Sequence, residues 1–332
     1  MAPSNEGLLI LSRNEVARLM DYAGYVDAVE AAFRAAIDGR AVAPPAAAIH
    51  LPEGSFHAKG AALLGNTATV AIKLNGNFPN NRAISGLPTV QGVIYLADAG
   101  NGRPLAVMDS IEVTINRTGA ATTLAARHFA RPDAKVATIC GAGVQGRIQA
   151  RAISAALNLE RLHVWDIRPE AALALARELS RDIGIEVHAA ETPAAATCES
   201  DVIVTCTSSR QAFLTSELVR PGTFIAAVGA DNSDKQEIDP RLYAASLAVV
   251  DSLEQAAEIG DLHHALAAGA VETSHVHATL GEVLAGRRPG RSDAEAITLF
   301  DSTGMGLQDV AAAAEIYRRA CAAGVGTRLT IS

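Results

Sequence analysis

Val136-Ala-Thr-Ile-Cys140-Gly141-Ala-Gly143-Val-Gln-Gly146 reads as a short apolar strand that breaks on glycine and opens into a helix. Each glycine has its own task in such a turn. Gly141 permits the sharp bend, Gly143 leaves the backbone bare for a phosphate to approach, and Gly146 lets the helix press against the strand. The phosphates of a dinucleotide then face the unpaired N–H groups at the helix start, where the helix dipole favours negative charge.

A lone glycine pattern is weak evidence in an alanine- and glycine-rich chain, so its surroundings decide. After the amphipathic stretch from Val144 to Leu157, a second strand, Leu162-His-Val-Trp-Asp166, ends on a carboxylate twenty residues past Gly146. A carboxylate there accepts hydrogen bonds from the ribose hydroxyls and repels a 2′-phosphate, which favours NAD over NADP. Arg168 pulls the other way as a partner for a 2′-phosphate, although an arginine just after a strand is more often a solvated charge.

The 332 residues suffice for two domains, each with its own core. Hydrophobic residues make up 49% of the chain and charged residues 19%, as in soluble globular proteins. No apolar run approaches the roughly 18 residues of a membrane span, and the N-terminus lacks a basic-then-apolar signal pattern. A cytoplasmic protein without membrane contact is expected. The formal charge of −8, with no basic tract to offset it, argues against nucleic acid as a partner. Cys140, Cys198, Cys206 and Cys321 lack metal-ligand spacing and read as buried thiols. His263-His264 and His275/His277 form no metal motif, because adjacent or i, i+2 histidines usually point apart.

Along the chain, Leu8–Leu11 is strand-like, and Ser12 with Glu15 forms a capping box before apolar positions that recur at helical spacing through Ile37. From Ala46 to Ala106, short alternating runs between Gly- and Asn-containing turns predict a mostly antiparallel sheet. Residues 110–130 read as a helix. Strands at Val136–Cys140, Leu162–Asp166, Val187–Ala190, Asp201–Thr205, Thr223–Val228 and Ala248–Asp251 then alternate with helices, the signature of a parallel sheet with right-handed crossovers. The fold class is therefore α/β: a Rossmann-type doubly wound domain over 126–306, plus an N-terminal α+β domain for substrate and dimerisation over 1–125. The amphipathic tail, 307–332, is expected to return to the N-terminal domain.

Several segments in fixed order resemble the ornithine cyclodeaminase/mu-crystallin family over nearly the whole chain. They are Ile72-Lys73-Leu-Asn with Asn77-Phe-Pro-Asn80, Gly86-Leu-Pro-Thr89, Pro104-Leu-Ala-Val-Met-Asp109, Asn116-Arg117-Thr-Gly-Ala-Ala121, Gly141-Ala-Gly-Val-Gln145, Val228-Gly-Ala-Asp231 with Lys235-Gln-Glu237, and Leu299-Phe-Asp-Ser-Thr-Gly304. The resemblance implies a homodimer built through the N-terminal sheet, NAD(P) on the second domain, and a small imino or amino acid as substrate. Family activities include cyclodeamination of ornithine or lysine, alanine dehydrogenation and reduction of imines such as pyrroline carboxylate, ketimines or iminosuccinate. Mu-crystallin also binds thyroid hormone. Fold alone does not choose among these.

The shared chemistry moves a hydride between the nicotinamide and the carbon beside a carboxylate, which needs a cation clamp, a proton-handling acid and a floor for the cofactor. Lys73 and Arg117 match the family's carboxylate-binding positions, and arginine can hold a carboxylate through two parallel hydrogen bonds. Asp231, just past a strand of the parallel sheet, is the candidate for managing the proton on nitrogen. Lys73 and Asp231 are thus the catalytic candidates. The cofactor floor is assigned to Gly141, Gly143, Val144, Gln145, Gly146, Asp166, Arg168, Thr118, Thr207, Ser208, Ser302, Thr303 and Gly304.

One departure bears on substrate. Pro44-Pro45 is followed by Ala46, where many relatives carry a further substrate-binding cation. His57 and Lys59, sharing one strand face by i, i+2 alternation, are candidates to replace it, with a solvated pair as the rival. Ornithine cyclodeaminases place an acid near the His57 position, so histidine there speaks against a diamine. The preferred reading is an NAD(H)-dependent imine reductase or amino-acid dehydrogenase. The alternatives are ornithine cyclodeaminase, with NAD recycled internally, and a ligand-binding protein of the mu-crystallin kind.

Overall fold

Two distinct patterns of strand pairing divide the chain. The computed structural model describes residues 7–65 and 68–330. One compact unit runs to Arg117 and resumes at Met305, and the other spans Thr118–Gly304.

The first unit begins with β1 (Leu8–Leu11), α1 (Arg13–Leu19) and α2 (Tyr22–Ile37). Glu15 accepts hydrogen bonds from both the amide (2.8 Å) and the hydroxyl (2.6 Å) of Ser12, as the capping spacing predicts. The helical pattern breaks at Met20, and Asp21 caps α2 by accepting from the Gly24 amide at 3.1 Å. There follow β2 (Ala41–Val42), β3 (Ala47–Leu51), β4 (Gly54–Leu63), β5 (Thr69–Asn77), the short α3 (Asn81–Ile84), β6 (Val90–Asp98), β7 (Pro104–Asp109) and the start of α4 (Ser110–Phe129). The strands form one sheet in which β3 through β7 pair antiparallel with their sequence neighbours, while β1 joins β7 in parallel.

The register of β4 against β5 matters for function. It sets Lys59 opposite Lys73, His57 opposite Asn75 and Gly60 opposite Ile72. Because side chains alternate along a strand, Lys59, Ala61, Ala71 and Lys73 lie on one face, and Phe56, Ile72 and Leu74 lie on the other.

The second unit takes the rest of α4 and continues with β8 (Val136–Cys140), α5 (Val144–Ala156), β9 (Arg161–Trp165), α6 (Pro169–Asp182), β10 (Glu186–Ala189), α7 (Pro193–Thr197), β11 (Val202–Thr205), β12 (Arg210–Leu214), β13 (Phe224–Ala227), β14 (Gln236–Ile238), α8 (Pro240–Ala244), β15 (Leu247–Val250), α9 (Leu253–Ile259), α10 (Asp261–Ala267), β16 (Ala278–Thr279), α11 (Leu280–Leu284) and β17 (Thr298–Asp301). Eight of its strands make a wholly parallel sheet in the order β10-β9-β8-β11-β13-β17-β15-β16. This is the Rossmann-type arrangement, with β8 and its glycine turn inside the sheet between β9 and β11.

The six strands read from sequence all form, within a residue or two. The strand between β13 and β15 does not follow from that reading. It is β17, entirely buried, whose four residues leave no room for a period to show. The expectation of buried thiols holds for Cys140 but fails for Cys198, which is exposed just past the end of α7.

The chain closes in the first unit with α12 (Gly306–Ala323) and β18 (Thr327–Leu329), which adds to β1. Helix α12 covers the Lys59 and Lys73 face of the sheet so closely that a Cβ on Gly306 would stand 2.7 Å from the Gly60 carbonyl oxygen. Only glycine fits there. Among the described residues no helix is long and apolar enough to cross a membrane.

Candidate active site

The glycine turn after β8 has the geometry its sequence predicts. Gly141 holds φ at +113°, a region side chains avoid, and a Cβ on it would meet the Cys206 carbonyl oxygen at 2.8 Å. A Cβ on Gly146 would stand 1.9 Å from the Gly141 oxygen, so this glycine sets how closely α5 packs on the strand. At Gly143 a Cβ would meet nothing within 4 Å. The open space lies at the N-cap of α5, where glycine brings no side chain to cap the first turn. A cradle of this form suits a dinucleotide pyrophosphate.

Asp166 stands beside this turn at the end of β9. It accepts from the Ala142 amide at 2.8 Å and from the Arg168 amide at 2.9 Å, so its carboxylate orients the glycine loop. The Arg168 guanidinium lies 3.5 Å from the same carboxylate and is largely solvent-exposed. Between them Ile167 is 86% exposed, an apolar side chain held out next to the Asp166 carboxylate and absent from the sequence reading.

Four of the residues assigned to the cofactor floor, Thr207, Ser302, Thr303 and Gly304, are held by two buried carboxylates that the sequence reading left without a role. Glu237, fully buried, accepts from the Thr207 amide (2.6 Å) and hydroxyl (2.7 Å), the Thr205 hydroxyl (2.8 Å) and the Gly229 amide (2.9 Å). Burial pushes its pKa up against the pull of those four donors. Asp251 accepts from the Gly304 amide at 2.7 Å, the Thr303 hydroxyl at 2.9 Å and the Ser302 hydroxyl at 3.2 Å. The hydroxyls of Thr207, Ser302 and Thr303 are therefore directed at internal acids. Ser208 is exposed and Thr118 is buried on α4.

Asp231 lies four residues past β13. Its side chain is about half-exposed, and its carboxylate accepts from the Lys235 ammonium at 2.6 Å.

In the first unit, Lys73 and Arg117 are brought together by a residue that sequence reasoning missed. Lys73 Nζ lies 2.8 Å from Asp309 Oδ2, and Arg117 Nε lies 3.2 Å from Asp309 Oδ1. Arg117 Nη1 also donates to Gln308 Oε1 at 2.6 Å. All four side chains are buried. Burial drives the Lys73 ammonium down to about 7, against the pull of Asp309, with Arg117 and Lys59 adding to the downward shift. Asp309 stays below its ordinary value because Lys73 and Arg117 outweigh its own desolvation. The signal was present in the chain: Gln308-Asp309 is a polar pair in the first turn of an otherwise alanine-rich, apolar helix.

Lys59, half-buried, stands across the strand pair from Lys73 and acts electrostatically on both Lys73 and Asp309. His57 is two residues further along β4, and its Nε2 is 2.7 Å from the Ser55 hydroxyl. Among the described residues no group of three His, Cys, Asp or Glu side chains is placed to hold a metal ion.

A parallel sheet with a glycine cradle and an acid at the end of the next strand, in one chain with buried cations sharing a single carboxylate, defines an enzyme built on a dinucleotide-binding domain. The comparisons narrow the class. The chain belongs to the ornithine cyclodeaminase/mu-crystallin family, whose sequence pattern matches residues 7–324. It is 38% identical to an alanine dehydrogenase of Archaeoglobus fulgidus over 97% of this chain and 98% of that one. The structure of Thermococcus litoralis Δ1-pyrroline-2-carboxylate reductase in complex with NADH and L-proline superposes with a TM-score of 0.93 at 34% identity, covering 97% of this chain and all of that one. An archaeal alanine dehydrogenase dimer with bound NAD gives a TM-score of 0.93 at 37% identity, covering 98% of this chain and 99% of the other.

Proposed function

We propose that the protein is an NAD(H)-dependent oxidoreductase that reduces a small carboxylated imine, or oxidises the matching amino acid, at the carbon next to the carboxylate. The observation that carries this reading is the Lys73–Asp309–Arg117 cluster, in which two buried cations share one acid and so keep a positive charge for a substrate carboxylate. Relatives that match along their full length act on alanine or pyrroline carboxylate and bind NAD or NADH, which supports the same class of reaction here.

Gly141, Gly143, Val144, Gln145 and Gly146 would hold the pyrophosphate of NADH and Asp166 its ribose hydroxyls, with exposed Ile167 an apolar side chain beside them, and the cofactor, when bound, would supply the hydride. Arg117 and Lys73 fix the substrate carboxylate and so orient the carbon that is reduced. Asp231 holds the proton that the substrate nitrogen gains as its double bond to carbon is lost, and Lys235 keeps that carboxylate in place. Glu237 and Asp251 position the loops that carry Thr207 and Ser302–Gly304. Histidine at position 57 leaves no acid there to read a distal amine, which favours an imine reductase over a diamine cyclodeaminase. The outer face of the first sheet exposes Phe56, Ile72, Leu74 and Val93, an apolar surface suited to a second copy of the chain in a homodimer.

The test is NADH oxidation with 2-oxo acids plus ammonia or methylamine, and with cyclic imino acids. Turnover is expected in the native protein. Asp231→Asn should abolish it while leaving NADH affinity within about threefold of the native value, the pattern of a group used in the chemical step. Conversion of ornithine to proline and ammonia with no net change in NADH would overturn the reading.

A further inference from the structure

We propose that Asp261 is a positioning residue: as a buried acid that keeps a proton in common with Asp301, it lets helix α10 hold the loop bearing Asp231 in place. This rests on the assignment of Asp231 to the proton on the substrate nitrogen, and it names what fixes that carboxylate.

The brace is made by α10 on the segment that follows Asp231. Asp261 Oδ1 accepts from the amides of Glu237 and Ile238, each at 2.9 Å, and His264 Nε2 donates to the Lys235 carbonyl oxygen at 2.8 Å. Helix α10 therefore grips Lys235, Glu237 and Ile238, and the Lys235 ammonium in turn holds the Asp231 carboxylate. Glu237, fixed in this way, is the acid that orders Thr207 and Gly229. The first turn of α10 is itself held by Asp301, whose Oδ2 accepts from the Leu262 amide at 2.8 Å. Ser302, Thr303 and Gly304 follow Asp301 directly, so one short helix ties the Asp231 loop to the cofactor floor.

The protonation of the two acids follows from what surrounds them. A Cβ on Gly260 would stand 2.8 Å from Asp301 Oδ1, which sets that carboxyl against the residue preceding Asp261. Both acids are buried, and among the described residues Asp261 Oδ2 and Asp301 Oδ1 have no hydrogen-bond partner. The charges acting on the pair from neighbouring elements are themselves acids, Glu237 on β14 and Asp251 past β15, while the Tyr243 hydroxyl on α8 gives Asp301 only a long bond of 3.5 Å. On α10 itself, His263 and His264 are turned to the carbonyls of Ala257 and Lys235. A buried oxygen without a donor is costly as part of an anion and much less so in a protonated carboxyl. Burial raises both acids, with the charges of Asp301 and Glu237 adding to the shift at Asp261 and that of Asp251 to the shift at Asp301, so the pair titrates as a unit and keeps a proton after ordinary carboxyls have lost theirs. Above the ordinary carboxyl range the unfolded chain releases this proton first. The stability it supplies is therefore lost as pH rises.

The experiment compares the native protein with Asp261→Asn, Asp261→Ala and His264→Ala, first without cofactor. Asparagine keeps an acceptor for the two β14 amides and carries a permanent N–H where the acid carries its proton. The melting temperature of Asp261→Asn relative to the native protein should therefore rise by at least about 2 °C between pH 5 and pH 8. Hydrogen exchange over residues 231–238 should stay native-like in Asp261→Asn and become at least about tenfold faster in both alanine variants, with the glycine turn at 141–146 unaffected. With NADH and an imine substrate, the alanine variants should lose about tenfold in kcat while KM stays within about threefold. A melting difference independent of pH, native-like exchange in the alanine variants, or faster exchange with unchanged kcat overturns the proposal. His264→Ala keeps the exchange arm decisive should Asp261→Ala fail to fold. If the native protein turns over no imine, the reductase reading falls, while melting and exchange still decide the role of Asp261.

Discussion

The ammonium of Lys73 lies 2.8 Å from the carboxylate of Asp309, joining a strand in the first quarter of the chain to a helix near its end. Both groups are out of solvent, and Arg117 closes on the other carboxylate oxygen. Removing one member of a buried pair leaves an uncompensated charge behind. Asp309→Asn should therefore cost about 3–5 kcal/mol of folding stability, read from urea denaturation. A loss below about 1 kcal/mol would mean the pair is solvated in practice.

The depressed Lys73 predicts a particular pH dependence of stability. The unfolded chain binds this proton up to a pH of about 10.4, whereas the folded protein releases it near 7. Between those values the unfolded state holds more protons, so stability rises with pH; below about 7 the full penalty is present. The stability of the native protein relative to Lys73→Met should accordingly improve as pH is raised from 7 towards 10. A difference independent of pH would remove the basis for the shift.

The same proton should govern substrate capture. In the free enzyme a limb in kcat/KM near pH 7 is expected, with activity falling as Lys73 loses its charge. Lys73→Arg, whose charge persists, should lose that limb even if its rate is lower. Persistence of the limb in that variant would assign it to another group.

Gly143 and Gly146 separate binding from folding. Gly143→Val places its side chain in open space, so the melting temperature should change little while the NADH dissociation constant rises at least about tenfold. Gly146→Ala drives a Cβ into the Gly141 oxygen and should lower both the melting temperature and NADH affinity. Equal effects of the two substitutions on the melting temperature would contradict the geometry.

Asp166 carries the choice between the two nicotinamide cofactors. Asp166→Ser should weaken NADH binding about tenfold or more and, with Arg168 no longer drawn to a carboxylate, improve NADPH relative to NADH. Fluorescence titration with each cofactor measures the ratio, and an unchanged ratio would assign discrimination elsewhere.

Features of this protein that depend on near neighbours were legible in the chain. The glycine turn, the acid ending β9, the alternating β4 and β5 and the parallel-strand rhythm all arise from backbone torsion limits and from side-chain periods of two or 3.6 residues, which a local window contains. The candidates Lys73, Arg117 and Asp231 were legible as motif positions, because each sits in a segment of fixed local pattern. Tertiary structure alone decided what those side chains meet. It slid β17 between β13 and β15, turned the hydroxyls of Thr207 and Ser302 towards Glu237 and Asp251, and set Asp309 between two cations far from it in sequence. The register that faces Lys59 with Lys73 belongs to the same category. Charges interact through space with an energy fixed by separation and burial, and neither quantity exists until the strands are paired and α12 has closed over them.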